Sequence, residues 1–223
     1  MSPRRSKAEA ASTHQAIVRE AAEGASEIGL EGISIGSLAS SLGMSKAGVA
    51  GHFRSKQELQ MEVIEFGARD FTEKIWTPNA DLKPGQERLL GCLDTWYAYS
   101  AGSPFRGGCL MTSISTEFDG RPGPVREAIA ETWGRWTKVL RADLDVAIEA
   151  GELSPPLSPA DTITAIESLA TGVNQQTQLF RGKSPEKTAS SAARVLLGMI
   201  GISSASEELM VARDVILSRM TGA

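Results

Sequence analysis

Residues 29–59 read GLEGISIGSLASSLGMSKAGVAGHFRSKQEL, and two short helices joined by a tight turn are written into them. Ile35, Leu38, Ala39 and Leu42 recur at i, i+3, i+4 and i+7, which makes one apolar stripe on a helix. Ala39 is small where two helices would cross closely. Gly43 follows the last turn, where the backbone needs a left-handed conformation that side chains resist. Met44 begins an apolar plug, and Ser45 is placed to cap a second helix. Val49 and Phe53, four apart, anchor that helix to a core. Lys46, Ala47, Gly48, Ala50, Gly51 and His52 are left to face outwards, and small residues there let a backbone approach base edges and phosphates. The spacing predicts a helix-turn-helix over residues 33–53.

The preceding stretch supports it. Ile17, Ala21, Ala25 and Ile28 lie on one helical face, Ser12 with Gln15 forms a candidate capping box, and Gly29 is placed to end the helix. From Gly32 to Gln57 there is no acidic residue, whereas Lys46, Arg54 and Lys56 are present. Residues 1–60 hold seven Lys and Arg against six Asp and Glu, and the remainder sixteen against twenty-one, so the acidity behind the net charge of −4 lies in the later part. An acid-free stretch suits a phosphate-facing surface.

The ten prolines stand at 3, 78, 84, 104, 122, 124, 155, 156, 159 and 185. Proline inside a helix costs about 3 kcal/mol, so these positions mark helix boundaries. No interval alternates with period two. The chain is expected to be all-α, with helices near 13–28, 35–41, 45–53, 55–76, 85–101, 109–118, 124–150, 159–181, 185–202 and 206–220. Ser55 with Glu58 reads as a capping box, and Ser158-Pro159 and Ser184-Pro185 as serine caps before proline. The longest charge-free run, Gly32 to Ser45, is rich in Ser and Gly, too short and polar to span a bilayer. Arg4, Arg5 and Lys7 are followed by no apolar segment, so no signal peptide is read. Two cysteines, Cys92 and Cys109, do not make a disulfide framework, and a cytoplasmic protein is expected. With His14 and His52 both in the part that carries the helix-turn-helix, metal catalysis has few candidate ligands. Glu117 and Asp119, two apart, cannot share a helix face as a catalytic pair. We expect no enzyme, no metal and no cofactor.

The pattern Gly-x-x-Gly, a capped helix, Leu-Gly-x-Ser, then His52-Phe53-x-Ser55-Lys56-x-x-Leu59 resembles the DNA-binding domain of the tetracycline-repressor (TetR) family, over about 60 residues. Gly107-Gly108-Cys109, Glu117-Phe118-Asp119 and Arg121-Pro122-Gly123-Pro124-Val125-Arg126 look like a subgroup signature within it. The resemblance implies a bacterial transcription regulator, usually a repressor, that binds a palindromic double-stranded DNA operator as a homodimer. On it, residues 1–56 form the arm and DNA-binding domain, and 57–223 the effector-binding and dimerisation domain. The DNA-binding residues it implies are Arg4, Arg5, Ser34, Ser45, Lys46, Ala47, Gly48, Ala50, His52 and Lys56. Lys46, Ala47 and Gly48 would face the major groove; Ser45, His52 and Lys56 would meet phosphates, and Arg4 and Arg5 an adjacent groove. The chain departs from the family in having Ala50 where an aromatic residue is common and Gly48 where Thr is common, which puts two phosphate contacts in doubt.

The segment that the resemblance assigns to effector binding is rich in aromatic residues. Trp96, Tyr99, Phe105, Cys109, Thr112, Trp133 and Asn174 are the candidate ligand residues, for a small apolar effector. Ile163, Ile166, Ala170 and Val173, then Ala189, Ala193, Leu196 and Ile200, form small apolar faces expected to pair across a dimer as four helices. Two rival readings remain: a helical small-molecule carrier or enzyme whose helix-turn-helix is degenerate, and a dimeric regulator controlled by a protein partner.

Overall fold

The computed structural model describes residues 7–180 and 185–199, all helix and connecting loop. The chain divides into two compact units, Met1–Asp70 with Phe105–Ala130, and Phe71–Pro104 with Glu131–Ala223. The division therefore does not follow one boundary near residue 56: the chain returns to the first unit at Phe105.

The first unit holds α1 (Lys7–Ile28), α2 (Ile35–Ser41), α3 (Lys46–Ala50), α4 (Lys56–Phe71, to Asp70), α6 (Leu110–Phe118) and the start of α7 (Pro124–Glu149). Helix α1 begins earlier than expected. The run from Lys7 to Ala11 has strong helix formers and needs no cap at Ser12, and the Thr13 hydroxyl bonds back to the Glu9 carbonyl at 2.8 Å. Ile17, Ala21 and Ala25 are fully buried, but Ile28 is 61% exposed. The helix ends at Ile28, and Leu30 takes the buried place instead. Helix α6 packs along α1 and supplies Leu110, Met111 and Ile114 to the unit's interior.

Polar contacts tie residues 105–118 to the start of the chain. Arg106 pairs with Glu20 and Glu27 at 3.1 and 3.0 Å, and its amide donates to Glu23. The Gly107 amide donates to Ser26 Oγ at 2.9 Å. Glu117 accepts from the amides of Leu30 and Glu31 at 2.5 and 3.1 Å, so the last turn of α6 holds the loop that leads into α2.

In the second unit α4 gives way to a π-helical turn, Thr72–Trp76, and a short 3-10 turn, Thr77–Asn79. This departs from the plain helix expected as far as residue 76; the wider turn is closed by the Thr77 amide donating to the Thr72 carbonyl. Helices α5 (Gln86–Ala101), α8 (Pro159–Leu179) and α9 (Pro185–Met199) pack mutually with the rest of α7. Tyr97 donates to the Ile166 carbonyl at 3.2 Å, joining α5 to α8. The start of α8 carries the expected cap: Ser158 Oγ accepts from the Asp161 amide, with Pro159 next. The start of α5 is held by Asp143, only 2% exposed, which accepts two bonds from Arg88 and one from the Gly85 amide.

Helix α8 does not leave the apolar face expected to pair across a dimer open to a second copy. Ile163, Ile166, Ala170 and Val173 are buried in the protomer's own core, as is Leu196 of α9, with Ala193 packed against it. An amphipathic stripe needs a cover, and α5 and α9 of the same chain provide it. Ala189's side chain, Ser184, Ile200 and the helix expected over 206–220 lie outside the described residues. The apolar side chains left exposed at the ends of these helices are Leu179 (68%), Phe180 (46%) and Val195 (52%).

One half-buried group works against stability. Burial pushes the Asp94 carboxyl up to about 6. The folded chain holds this proton more tightly than the unfolded chain, so the cost of charging Asp94 is absent below about pH 4 and complete above about pH 6. Asp94→Asn is expected to stabilise the protein by on the order of 2 kcal/mol at pH 8, a gain that shrinks as the pH falls towards 4. Urea unfolding at several pH values checks this, and a gain independent of pH would remove Asp94 as its cause.

Candidate nucleic-acid interface

The site is built from two capped helices and the turn between them. Ser34 Oγ accepts from the Ser37 amide while Ser37 Oγ returns the contact to the Ser34 amide, a reciprocal cap for α2. Leu38 and Ala39 are buried as the stripe requires. Gly43 adopts φ +63°, the left-handed conformation expected of it. Ser45 Oγ then accepts from the Gly48 amide at 3.0 Å, capping α3. The second helix is shorter than 45–53: α3 ends at Ala50, because Gly48 and Gly51 weaken a helix this short, and His52 and Phe53 continue it only as a tighter turn bonded to Val49 and Ala50.

Val49 is fully buried and fixes α3 to the unit's interior. Lys46, Ala47, Ala50 and Gly51 are exposed, and Gly48 and His52 half-buried. Lys46 leans towards the start of α2. A Cβ on Gly36 would lie 3.5 Å from Lys46 Cε and 3.8 Å from Ser34 Oγ, so the ammonium and the serine gather at one glycine. A cleft of about 500 Å³ beside them is lined by Ser34, Ile35, Ala50, Phe53, Arg54 and Lys56 among others. Three of the expected DNA-binding residues, Ser34, Ala50 and Lys56, thus meet in one depression.

Other groups are already engaged. Lys56 Nζ donates to the Glu31 carbonyl and carboxylate at 2.6 and 2.9 Å, and hydrogen bonds from Gln60 and Lys56 hold the Glu31 carboxyl below its usual range. His14 of α1 bonds Glu62 of α4 at 2.5 Å, and its ring lies 4.9 Å from Phe53 and 5.6 Å from His52. His14, Glu31, Glu62 and Ser37 therefore shape the site, although none of them is among the residues expected to form it. Only Ser37 carries a local signal, standing three residues after the cap Ser34. Arg4 and Arg5 lie outside the described residues.

The candidate ligand residues separate. Phe105, Cys109 and Thr112 belong to the first unit, where Phe105 meets Phe66 edge-on with centroids 6.3 Å apart. Cys109 is fully buried, which pushes its thiol up and keeps it protonated. Trp96, Tyr99, Trp133 and Asn174 belong to the second unit. There Phe71 sits edge-on to Trp96, Tyr99, Trp133 and Trp136, with centroids 5.1–6.4 Å apart. Trp96 is 1% exposed and Asn174 6%. Among the described residues no cluster of three metal-ligating side chains occurs, and no helix is long and apolar enough to cross a membrane.

Residues 17–63 match the family model described as "Bacterial regulatory proteins, tetR family", and residues 85–193 the model "Tetracyclin repressor-like, C-terminal domain". Among curated proteins no sequence match is found. Similar solved structures include a TetR transcriptional regulator from Chloroflexus aurantiacus, with TM-score 0.75 and 21% identity over 87% of this chain and 98% of that one. AibR, in complex with isovaleryl coenzyme A and operator DNA, has TM-score 0.69 and 20% identity over 84% and 97%. FadR from Bacillus subtilis, in complex with stearoyl-CoA, has TM-score 0.66 and 16% identity over 84% and 97%. At these identities the likeness is one of fold.

Proposed function

The chain belongs to the TetR family of bacterial regulatory proteins, and from that premise we propose a cytoplasmic, homodimeric repressor that leaves a palindromic operator when a small effector binds. The observation that carries this reading is the helix-turn-helix itself, with Ser34 and Ser45 capping its helices and Lys46, Ala47 and Ala50 exposed on the second. In this reading residues 1–56 hold DNA and 57–223 serve effector binding and dimerisation, with residues 57–70 and 105–130 of the latter packed in the same unit as the helix-turn-helix. Lys46, Ala47 and Gly48 meet base edges in the major groove. Ser34, Ser45, Ala50, His52 and Lys56 lie against the phosphate backbone, which positions the protein without reading sequence. Lys56 exchanges its bonds to Glu31 for a phosphate oxygen. Arg4 and Arg5 enter the neighbouring groove.

A two-fold dimer sets its recognition helices about 34 Å apart, one turn of duplex. Leu179, Phe180 and Val195 are apolar and exposed, and a second copy would cover them. The effector acts at the aromatic cluster around Trp96, Tyr99 and Trp133, shifts α4, and so changes the half-site separation. AibR and FadR, of the same fold, were solved with coenzyme A thioesters and AibR also with operator DNA, which supports a ligand-responsive regulator. Such coupling is typically about 1–3 kcal/mol. The chain does no chemistry of its own.

Selection of bound fragments from a random DNA library tests this reading. Recovery of a palindrome, with retention lost on Lys46→Ala combined with Lys56→Ala, is the expected result. Retention of nothing by a folded dimer would overturn it and favour a small-molecule carrier.

A further inference from the structure

Among the described residues, four buried polar atoms of the second unit lack hydrogen-bond partners: Trp96 Nε1, Ser100 Oγ, Trp136 Nε1 and Thr177 Oγ1. Trp96 and Ser100 are each 1% exposed and Trp136 8%, in a chain whose other described buried polar groups are largely satisfied. An unpaired buried group is costly, so four in one unit call for a reason. Three observations place their residues in one neighbourhood. The Trp96 and Trp136 rings are perpendicular, with centroids 5.6 Å apart. Ser100 is one helical turn beyond Trp96, on the same face of α5. Gln178 Nε2 donates to Ser103 Oγ at 2.7 Å, which fastens the last turn of α8, where Thr177 stands, beside the end of α5, where Ser100 stands.

The chemistry of the four atoms is asymmetric. An indole N–H only donates, whereas a hydroxyl both donates and accepts. A molecule that completes them must accept from the two indoles. A cation would meet the positive edges of those rings. A carboxylate would leave water for a setting of neutral dipoles, at a large desolvation cost. We propose that this cluster binds an uncharged, mostly apolar molecule through a carbonyl-type acceptor, an ester, lactone, ketone or amide, held by Trp96 and Trp136 with Ser100 and Thr177 beside it. The proposal rests on the effector reading above and names the effector's class.

All four tryptophans, at 76, 96, 133 and 136, lie in this unit, so intrinsic fluorescence of the full chain reports on the site. Four probes of one chain length separate the classes: methyl octanoate, octanoate, octyltrimethylammonium and octane. Saturable binding of methyl octanoate, at least tenfold tighter than the other three, is expected. Trp136→Phe keeps a ring and removes the donor, and should weaken the ester about tenfold while leaving octane unchanged. Ser100→Ala, which removes a hydroxyl with no partner to lose, should melt no lower than wild type without probe yet bind the ester more weakly.

A charged probe binding as tightly as the ester, an equal loss for ester and octane in Trp136→Phe, or no saturable binding by any probe would each overturn the proposal. Operator affinity measured alongside keeps the two readings apart. Release of DNA by a charged probe would leave the effector reading standing and its class wrong. Tight ester binding without any change at the operator would do the reverse.

Discussion

Gly107→Ala is expected to destabilise the first unit by more than about 3 kcal/mol, a large share of a typical domain's stability. A Cβ at this position would lie 2.0 Å from the Ser26 carbonyl oxygen and 2.3 Å from its carbon. Both atoms are backbone of α1, so no rotamer change relieves the clash. Yielding would pull residue 107 off α1, breaking its amide bond to Ser26 Oγ and loosening the neighbouring pairs of Arg106 with Glu20 and Glu27. The strap from α6 to the helix-turn-helix depends on the same approach, so operator binding should fall with stability. Gly134→Ala is the control: nothing lies within 4 Å of its Cβ, and in a helix it should be neutral or stabilising by up to about 1 kcal/mol. Urea unfolding followed by circular dichroism reads both. A Gly107→Ala midpoint equal to wild type would show that the packing of residue 107 on Ser26 is wrong.

Asp143→Ala should cost about 3–5 kcal/mol in the second unit, because it strands a guanidinium that the fold has half removed from water. Asp143 accepts from Arg88 Nε and Nη2 at 2.8 and 2.7 Å, and from the Gly85 amide at 3.2 Å. The Arg88 side chain is 19% exposed and lies over the Trp76 ring at 5.2 Å. The hydrogen bonds to Asp143, more than any other influence, raise the guanidinium above its ordinary range. Replacing both partners, as Arg88→Met with Asp143→Leu, should recover much of the loss, since the penalty comes from the orphaned charge. Tryptophan fluorescence during urea unfolding follows this unit. A single mutant no less stable than the double would contradict the account.

The features legible in the sequence are those whose physics is local. Ile35, Leu38, Ala39 and Leu42 are spaced by the helix repeat, Gly43 must be left-handed, and Ser45 caps the second helix; each sits within a few residues of its cause. The features that escaped it depend on distant partners. Glu117 bonds Leu30 across 87 positions, and Lys56 reaches Glu31 across 25, and no periodicity marks either pair. Phe105, Cys109 and Thr112 fall in the first unit and Trp96 in the second, and no local pattern announces that the chain returns to the first unit at Phe105. The stripe Ile163, Ile166, Ala170 and Val173 is apolar as expected, but a stripe does not say whether its cover comes from its own chain or a second copy. The start of α1 differs for a smaller reason, since Ser12 looks like a cap but stands in a run that is helical before it.

The most direct test is the salt dependence of binding by the full chain to its selected palindrome. A helix-turn-helix that docks on phosphates displaces counterions, so the logarithm of affinity should fall linearly with that of salt, by about 0.9 per phosphate neutralised. We expect a loss of about a thousandfold or more between 50 and 200 mM salt, and a slope reduced by about one in Lys56→Ala. An affinity that stays flat across that range, in a protein shown to be folded and dimeric, would contradict the claim that this surface holds DNA.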